Sequence, residues 1–363
     1  MAIDQTTYRA AIIGTGRIGN SYDDEVLTRH PATYYQGDNR HSGLYVTLPV
    51  NHAAAYQSTP GFTLVAAANR GLAKLQAFGE RRGVSALYTD FRRLLQNEQP
   101  DVVSVCTQSP EKAEIVIAAA EAGVKAIVVE KAFATSMAEA DAMLAACAAH
   151  EVLLVVNHPY RFSPLVRQAK TLIEQGAIGE LTSVTVHAGG GMLHVGTHTF
   201  DLMRYWAGDA ATVYAQVPEY VPQRDLPADG IVTFVNGISG LFTHSHREPQ
   251  SIEARGQRGH ITLSSLLGDG WLYQITPTEA PTAKRQYPER LTQQPLTAVH
   301  TLSMTERLLT ELAHSLRTGA PFTSTGRDGA AALELGLACY ASHHAGAPIP
   351  LPLADRTLRV PNR

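Results

Sequence analysis

Cysteine is scarce in this chain, with three among 363 residues. So few cysteines exclude a disulfide framework, and Cys106, Cys147 and Cys339 lack the spacing of a metal or redox motif. They are expected to be small buried residues in a reducing compartment. Charge is sparse too. Charged residues make up 17% of the chain, and the formal net charge is -3. That balance gives no footing for nucleic acid or a membrane surface. No uncharged apolar run approaches the length of a membrane span. The opening MAIDQTTYRAAIIGTG lacks the basic region, apolar stretch and cleavage site of a secretory signal. A cytoplasmic protein is expected. Hydrophobic residues reach 44%, and the length allows two domains with ample core.

The first half alternates short apolar runs with helical patterns. RAAIIG, FTLVAAA, DVVSVCT, KAIVVE and LLVVN are apolar on both faces, as parallel strands covered by helices require. Ser109-Pro110 reads as a cap followed by a first-turn proline, and Ser136 to Glu139 as a capping box. This βαβ alternation predicts an α/β fold with a doubly wound sheet over residues 1–155. From 156 to 363 the pattern changes to an α+β domain with a large open, mostly antiparallel sheet. Its strands are TSVTVHA, TVYAQVP, GIVTFVN, SGLFTHSH, SIEARG and HITLS. Two helices close the chain and could pack on either domain. An insertion at about 20–50, rich in Tyr, His, Arg and Asp, is long for a connection. It reads equally as a lid or as a surface excursion.

Gly14-Thr-Gly16-Arg-Ile-Gly19 follows the first strand directly. The first glycine permits a tight turn, the second lets backbone N–H groups approach a pyrophosphate, and the third lets helix and strand pack closely. After the second strand, Asn69-Arg70 stands where an acidic residue usually holds the ribose 2′-OH. Asparagine does not repel a 2′-phosphate and arginine pairs with one, so NADP is favoured over NAD. His194 and His198, four residues apart, would share one face if this stretch opens a helix, and Gly189-Gly190-Gly191 before them allows close approach to a cofactor or substrate. The pair suits proton transfer or a metal clip. The metal reading would add His244 and His246, which point to one strand face. No cysteine or zinc signature supports it, and no metal is expected.

GTGRIG, HAAAYQSTPGFTLVAAANR, the stretch from YTDF to AIVVEKAFA, VNHPYRFSP and GGGMLHVGTHTFDLMRYWAGD together resemble the Gfo/Idh/MocA family, the group of glucose–fructose oxidoreductase and inositol dehydrogenase. The resemblance covers nearly the whole chain apart from the insertion. It implies an oxidoreductase using NAD or NADP on a sugar, cyclitol or related polyol, and a homodimer or homotetramer formed through the second sheet. Lys131 matches the family's active-site lysine, His198 its catalytic histidine and Glu130 the acidic partner.

The candidate cofactor set is Gly14, Gly16, Arg17, Ile18, Gly19, Asn69, Arg70, Thr107, Gln108, Glu130 and Lys131. Lys131, Asn157, His158, Arg161, His194 and His198 form the candidate substrate set, with Lys131, His198 and His194 as catalytic candidates. Arg161 reads equally as a ligand for an acidic group or as a structural ion pair, and Asp201 is expected to pair with Arg204. Four positions depart from the family: Asn69 replaces the ribose-binding acid, Lys112 a common histidine, Ala132 the usual proline, and His194 a frequent aspartate. Two other readings share the cofactor site. One is redox-neutral sugar modification through transient oxidation, and the other is a non-catalytic dinucleotide-binding regulator.

Overall fold

A computed structural model describes residues 6–29, 47–221, 224–245, 250–264, 269–277, 289–298 and 301–360. Most of the insertion lies outside the described residues, as does His246. The first sheet is assembled from β1 (Tyr8–Ile13), α1 (Tyr22–Arg29), α2 (His52–Ser58), β2 (Phe62–Ala68), α3 (Leu72–Arg82), β3 (Ala86–Tyr88), α4 (Phe91–Glu98), β4 (Val102–Val105), α5 (Ser109–Glu121), β5 (Ala126–Val129), α6 (Met137–Ala149) and β6 (Leu153–Val156). Its six strands lie in the order β3-β2-β1-β4-β5-β6, and every pairing is parallel. The order reverses between β1 and β4, which opens a crevice at their carboxyl ends. β4 and β5 are buried along their whole length, as a sheet covered on both faces demands.

The chain then continues through a 3-10 turn (Pro159–Phe162), α7 (Pro164–Glu174), β7 (Leu181–His187), α8 (Gly196–Ala207), β8 (Ala210–Gln216), β9 (Asp229–Phe234), β10 (Ser239–Thr243), β11 (Ser251–Gly256), β12 (Gly259–Leu263), β13 (Gly270–Pro277), β14 (Glu289–Leu296), α9 (Met304–Thr318), α10 (Gly326–Ala345) and β15 (Ile349–Pro350). The nine strands run β14-β13-β12-β11-β7-β10-β9-β8-β15, and only the β7–β10 pair is parallel. α8 and α10 cover one face of this sheet. On the other face Tyr214, Ile231 and Leu241 are exposed and lie in register across β8, β9 and β10.

The two closing helices part company. α9 packs against α2, and its Leu308, Leu309 and Leu312 join the core beneath the first sheet with Ile12, Phe78 and Val102. α10 lies between the sheets, touching β6, α8 and β8. Several local expectations shift. The α5 cap is Gln108, one residue before Ser109. In the Ser136 box, the Glu139 N–H donates to Ser136 Oγ, but the Glu139 carboxylate accepts from Thr135 instead of from the cap residue's N–H. The glycine turn leads first into a π-helical turn (Arg17–Ser21). Cys147 and Cys339 are buried, whereas Cys106 is only partly so. No helix among the described residues is long and apolar enough to cross a membrane.

Candidate functional site

The glycine turn sits at the crevice. Gly14 has φ +102°, and a Cβ there would lie 2.8 Å from the Cys106 carbonyl carbon, so β1 and β4 meet through a bare backbone. At Gly19 a Cβ would fall 2.2 Å from the Gly14 carbonyl oxygen. At Gly16 it would meet no protein atom within 4 Å. Two of the glycines therefore close the turn, and the third leaves space open above it. Ile18 lies within the π-helical turn, and the Arg17 side chain is turned to Glu25, with N–O distances of 2.6 and 2.8 Å.

A cavity of about 1140 Å³ runs from Gly14 and Gly16 past Asn69, Arg70, Thr107 and Gln108. Asn69 donates to the Gly71 carbonyl at 3.0 Å. Arg70 is largely exposed and paired with Glu111. Thr15 Oγ1, Thr107 Oγ1 and Asn157 Oδ1, just beyond β1, β4 and β6, are buried without a hydrogen-bond partner among the described residues. Orphaned polar atoms of this kind call for a partner. Phosphates, ribose hydroxyls and a carboxamide supply them, so the crevice fits a nicotinamide dinucleotide.

Beneath the crevice Glu130, at the end of β5, is buried. Its Oε1 accepts from His52 Nε2 at 3.0 Å and from Asn157 Nδ2 at 2.7 Å. The other ring nitrogen of His52 meets Ser104 Oγ at 2.9 Å, and Tyr56 OH meets the same hydroxyl at 2.8 Å. Burial opposes the Glu130 charge, but the His52 hydrogen bond and charge, then Asn157 and Lys112, outweigh it and hold the carboxyl well below its usual range. For His52, burial opposes protonation while Cys106 and Glu130 favour it, and the net displacement is upward. His52, Ser104 and Tyr56 were absent from the sequence-based set. The one signal was His52 and Tyr56 four apart in HAAAY, which places both on one face of α2.

Lys112, 1% exposed, reaches from α5 and donates to the carbonyls of Glu130 and Ala132 at 2.5 and 2.6 Å. Burial pushes its ammonium down to about 7. It thereby clamps both sides of Lys131, whose peptide bond to Ala132 is cis. Lys131 itself donates to the His194 carbonyl at 3.0 Å.

The histidines separate. α8 begins at Gly196, so His194 lies in the turn before the helix and His198 in its first turn, and no common helix face is formed. His194 is exposed, whereas the His198 ring packs against Tyr160 and His158, with centroids 5.3 and 6.3 Å away. Its Nδ1 is buried with no hydrogen-bond partner among the described residues. Burial first, then the charges of Lys131 and His158, hold His198 well below the ordinary imidazole value.

His158 is buried, with Nδ1 2.9 Å from Asp201. Arg161 meets Asp201 at 2.7 Å, Asp328 at 3.0 Å and the Thr323 carbonyl at 2.7 Å, which favours its ion-pair reading. The expected Asp201–Arg204 pair does not form. Asp201 faces inward at 1% exposed, while Arg204 turns to Asp209 and Asp328. His244 is committed to Thr199 Oγ1 at 3.0 Å, and burial lowers it to about 4. Among the described residues no three His, Cys, Asp or Glu side chains group to hold a metal.

The glycine turn generates a paired prediction. Gly19→Ala forces a Cβ into the Gly14 carbonyl and lowers thermal stability by about 1–3 kcal/mol. Gly16→Ala leaves the melting temperature of the cofactor-free protein within about 1 °C but weakens dinucleotide binding roughly tenfold or more in a fluorescence titration. Equal effects of both variants on stability would contradict this division.

Comparison with known proteins agrees with this architecture. Residues 43–158 match the family profile described as "Oxidoreductase family, NAD-binding Rossmann fold", and residues 170–351 match "Oxidoreductase family, C-terminal alpha/beta domain". The chain is 28% identical over 243 residues to a D-apiose dehydrogenase of Paraburkholderia graminis, covering 59% of this chain and 64% of that one. It is 31% identical over 211 residues to a levoglucosan dehydrogenase of Pseudarthrobacter phenanthrenivorans, covering 49% and 53%. These matches thus span less than two thirds of either relative's length. An oxidoreductase from Agrobacterium radiobacter, solved in complex with NAD+, L-tartaric acid and magnesium, superposes with a TM-score of 0.73 at 19% identity, covering 95% of this chain and 98% of the other. With the glycine crevice in the first sheet and both family domains matched in sequence order, the chain belongs to the Gfo/Idh/MocA oxidoreductase family.

Proposed function

We propose that this protein is an NAD(P)-dependent dehydrogenase or reductase of a sugar, cyclitol or related polyol. The carrying observation is that Lys131, just beyond β5, holds the His194 carbonyl and that the charges of Lys131 and His194 both reach His198, while the orphaned Thr15, Thr107 and Asn157 atoms lie just beyond β1, β4 and β6 of the same sheet. The similarity to sugar dehydrogenases supports the substrate class. The family glycines with Asn69, Arg70, Thr107 and Gln108 would hold the dinucleotide, and Asn157 would meet the carboxamide. When bound, the nicotinamide ring supplies the hydride acceptor or donor.

The chain's own residues handle the proton. The Lys131 ammonium donates a hydrogen bond to the reacting oxygen and stabilises negative charge there. His198, held unprotonated at neutral pH by burial and by the Lys131 charge, accepts the hydroxyl proton during oxidation and returns it during reduction. His194, exposed at the rim, binds a neighbouring hydroxyl. Glu130 and Lys112 act beneath, keeping the Lys131 turn in place.

At the ribose end, Asn69 and the exposed Arg70 favour NADP over NAD, while Glu111 competes for the same guanidinium. The outer face of the second sheet, with Tyr214, Ile231 and Leu241 in one row, supports a homodimer or homotetramer.

Three outcomes test these readings. His198→Ala and Lys131→Ala each lower kcat/KM about 100-fold or more with cofactor affinity within twofold. Lys131→Ala also removes a positive charge that disfavours imidazolium, so the acid limb of its residual kcat/KM profile moves to higher pH. Full turnover in either variant would remove that residue from the mechanism. Calorimetry gives tighter NADP than NAD binding, and Glu111→Gln widens the gap by freeing Arg70; tighter NAD binding would end the NADP preference. In sedimentation velocity the protein runs as a dimer or tetramer, and Ile231→Lys with Leu241→Glu reduces it to a monomer; a monomeric parent protein would overturn the sheet assignment.

A further inference from the structure

The close approach enforced by Gly191 is made by a carboxylate of the same chain. A Cβ at Gly191 would lie 2.2 Å from Asp225 Oδ2. Asp225 belongs to the segment between β8 and β9, 31 residues beyond His194 in sequence. Its Oδ1 accepts the Leu193 N–H at 2.9 Å, and its Oδ2 accepts the His194 N–H at 2.8 Å. Tyr340, from α10, supplies a hydroxyl 2.9 Å from Oδ1. Two successive backbone N–H groups thus address one carboxylate in the bidentate manner that gives charge-assisted hydrogen bonds their directionality.

The other side of residue 194 is held as well, because Lys131 Nζ donates to its carbonyl. The backbone of His194 is therefore gripped at both ends, by an anion at its N–H and by a cation at its C=O. Neither contact uses the imidazole. Residue 194 is a histidine and carries no permanent negative charge, so the anion on this side of the site comes from Asp225.

We propose that Asp225 is a positioning residue of the catalytic site: its carboxylate anchors the peptide that Lys131 grips and supplies the negative charge that residue 194 lacks. The proposal rests on the dehydrogenase reading for its kinetic consequence but not for its electrostatic one. Burial pushes the Asp225 carboxyl up, while the Leu193 N–H, the Tyr340 hydroxyl, the His194 N–H and the Lys131 charge pull against that displacement. The titratable groups around the peptide are Asp225, Lys131, His198 and Tyr340. Among them Asp225 is the carboxylic acid, so replacing it by a neutral amide disfavours the protonated form of His194.

The test uses the full chain with Asp225→Asn and Asp225→Glu. The imidazole of His194 is followed by NMR titration without substrate and assigned through His194→Gln. In Asp225→Asn the His194 midpoint falls by about half a pH unit. Turnover on a polyol substrate of the parent protein falls about tenfold or more while the dinucleotide Kd stays within twofold. Asp225→Glu keeps the charge but displaces the bidentate acceptor, so the midpoint stays near its parent value while turnover still falls. An unmoved midpoint in folded Asp225→Asn overturns the proposal, whether turnover is unchanged or falls in step with the melting temperature. If Asp225→Asn does not fold, a midpoint in Asp225→Glu displaced downward as far as half a unit overturns the charge assignment, and a retained midpoint with reduced turnover supports it. A parent protein with no turnover on any polyol or sugar removes the dehydrogenase reading, and the His194 titration then decides the anchoring by itself.

Discussion

A carboxylate stripped of water at the end of β5 is affordable only with partners in place, since an unpaired buried charge is strongly destabilising. Glu130 finds them in His52 from α2 and Asn157 beyond β6. Those two contacts tie the helix that follows the insertion to the strand that leads into the second domain. Lys112 closes the arrangement from α5 by occupying the carbonyls on either side of Lys131. This buried network holds the backbone from which the flexible Lys131 side chain reaches the His194 carbonyl.

The same logic operates on the opposite wall. His198 lies over a second buried ionic group, in which Asp201 binds His158 and Arg161. Arg161 extends that group to Asp328 in the first turn of α10, and to the Thr323 carbonyl. The candidate site therefore lies between two buried polar networks, one centred on Glu130 and the other on Asp201. Among the described residues, Thr15 Oγ1, Thr107 Oγ1, Asn157 Oδ1 and His198 Nδ1 are buried without a hydrogen-bond partner. Paired groups hold the architecture, and a buried polar atom left unpaired at the crevice calls for a partner from outside the chain.

Much of the first domain was legible because its strands are apolar on both faces and its helices carry end signals. Most strands of the second sheet were legible through alternation, but β13 and β14 were not singled out; ERLTQQPL is a mostly polar strand at the edge of the sheet, where burial imposes less pattern, and GWLYQITP lies next to it. β3 is three residues long, too short for a period to register. For the candidate site, Lys131 and His198 were named from their motifs. Asp225, Tyr340, His52 and Ser104 were not, because their partners lie 31 to 115 residues away in sequence.

The sequence by itself determined the family, the glycine turn and the residue types of the candidate site, since these depend on local patterns and short motifs. Only the tertiary structure decided that His194 and His198 do not share a helix face, that Arg161 and Asp201 pair with each other, and that the Gly191 approach is to Asp225. Those outcomes depend on which polar groups burial forces together, and burial is a property of the packed chain that no local spacing encodes.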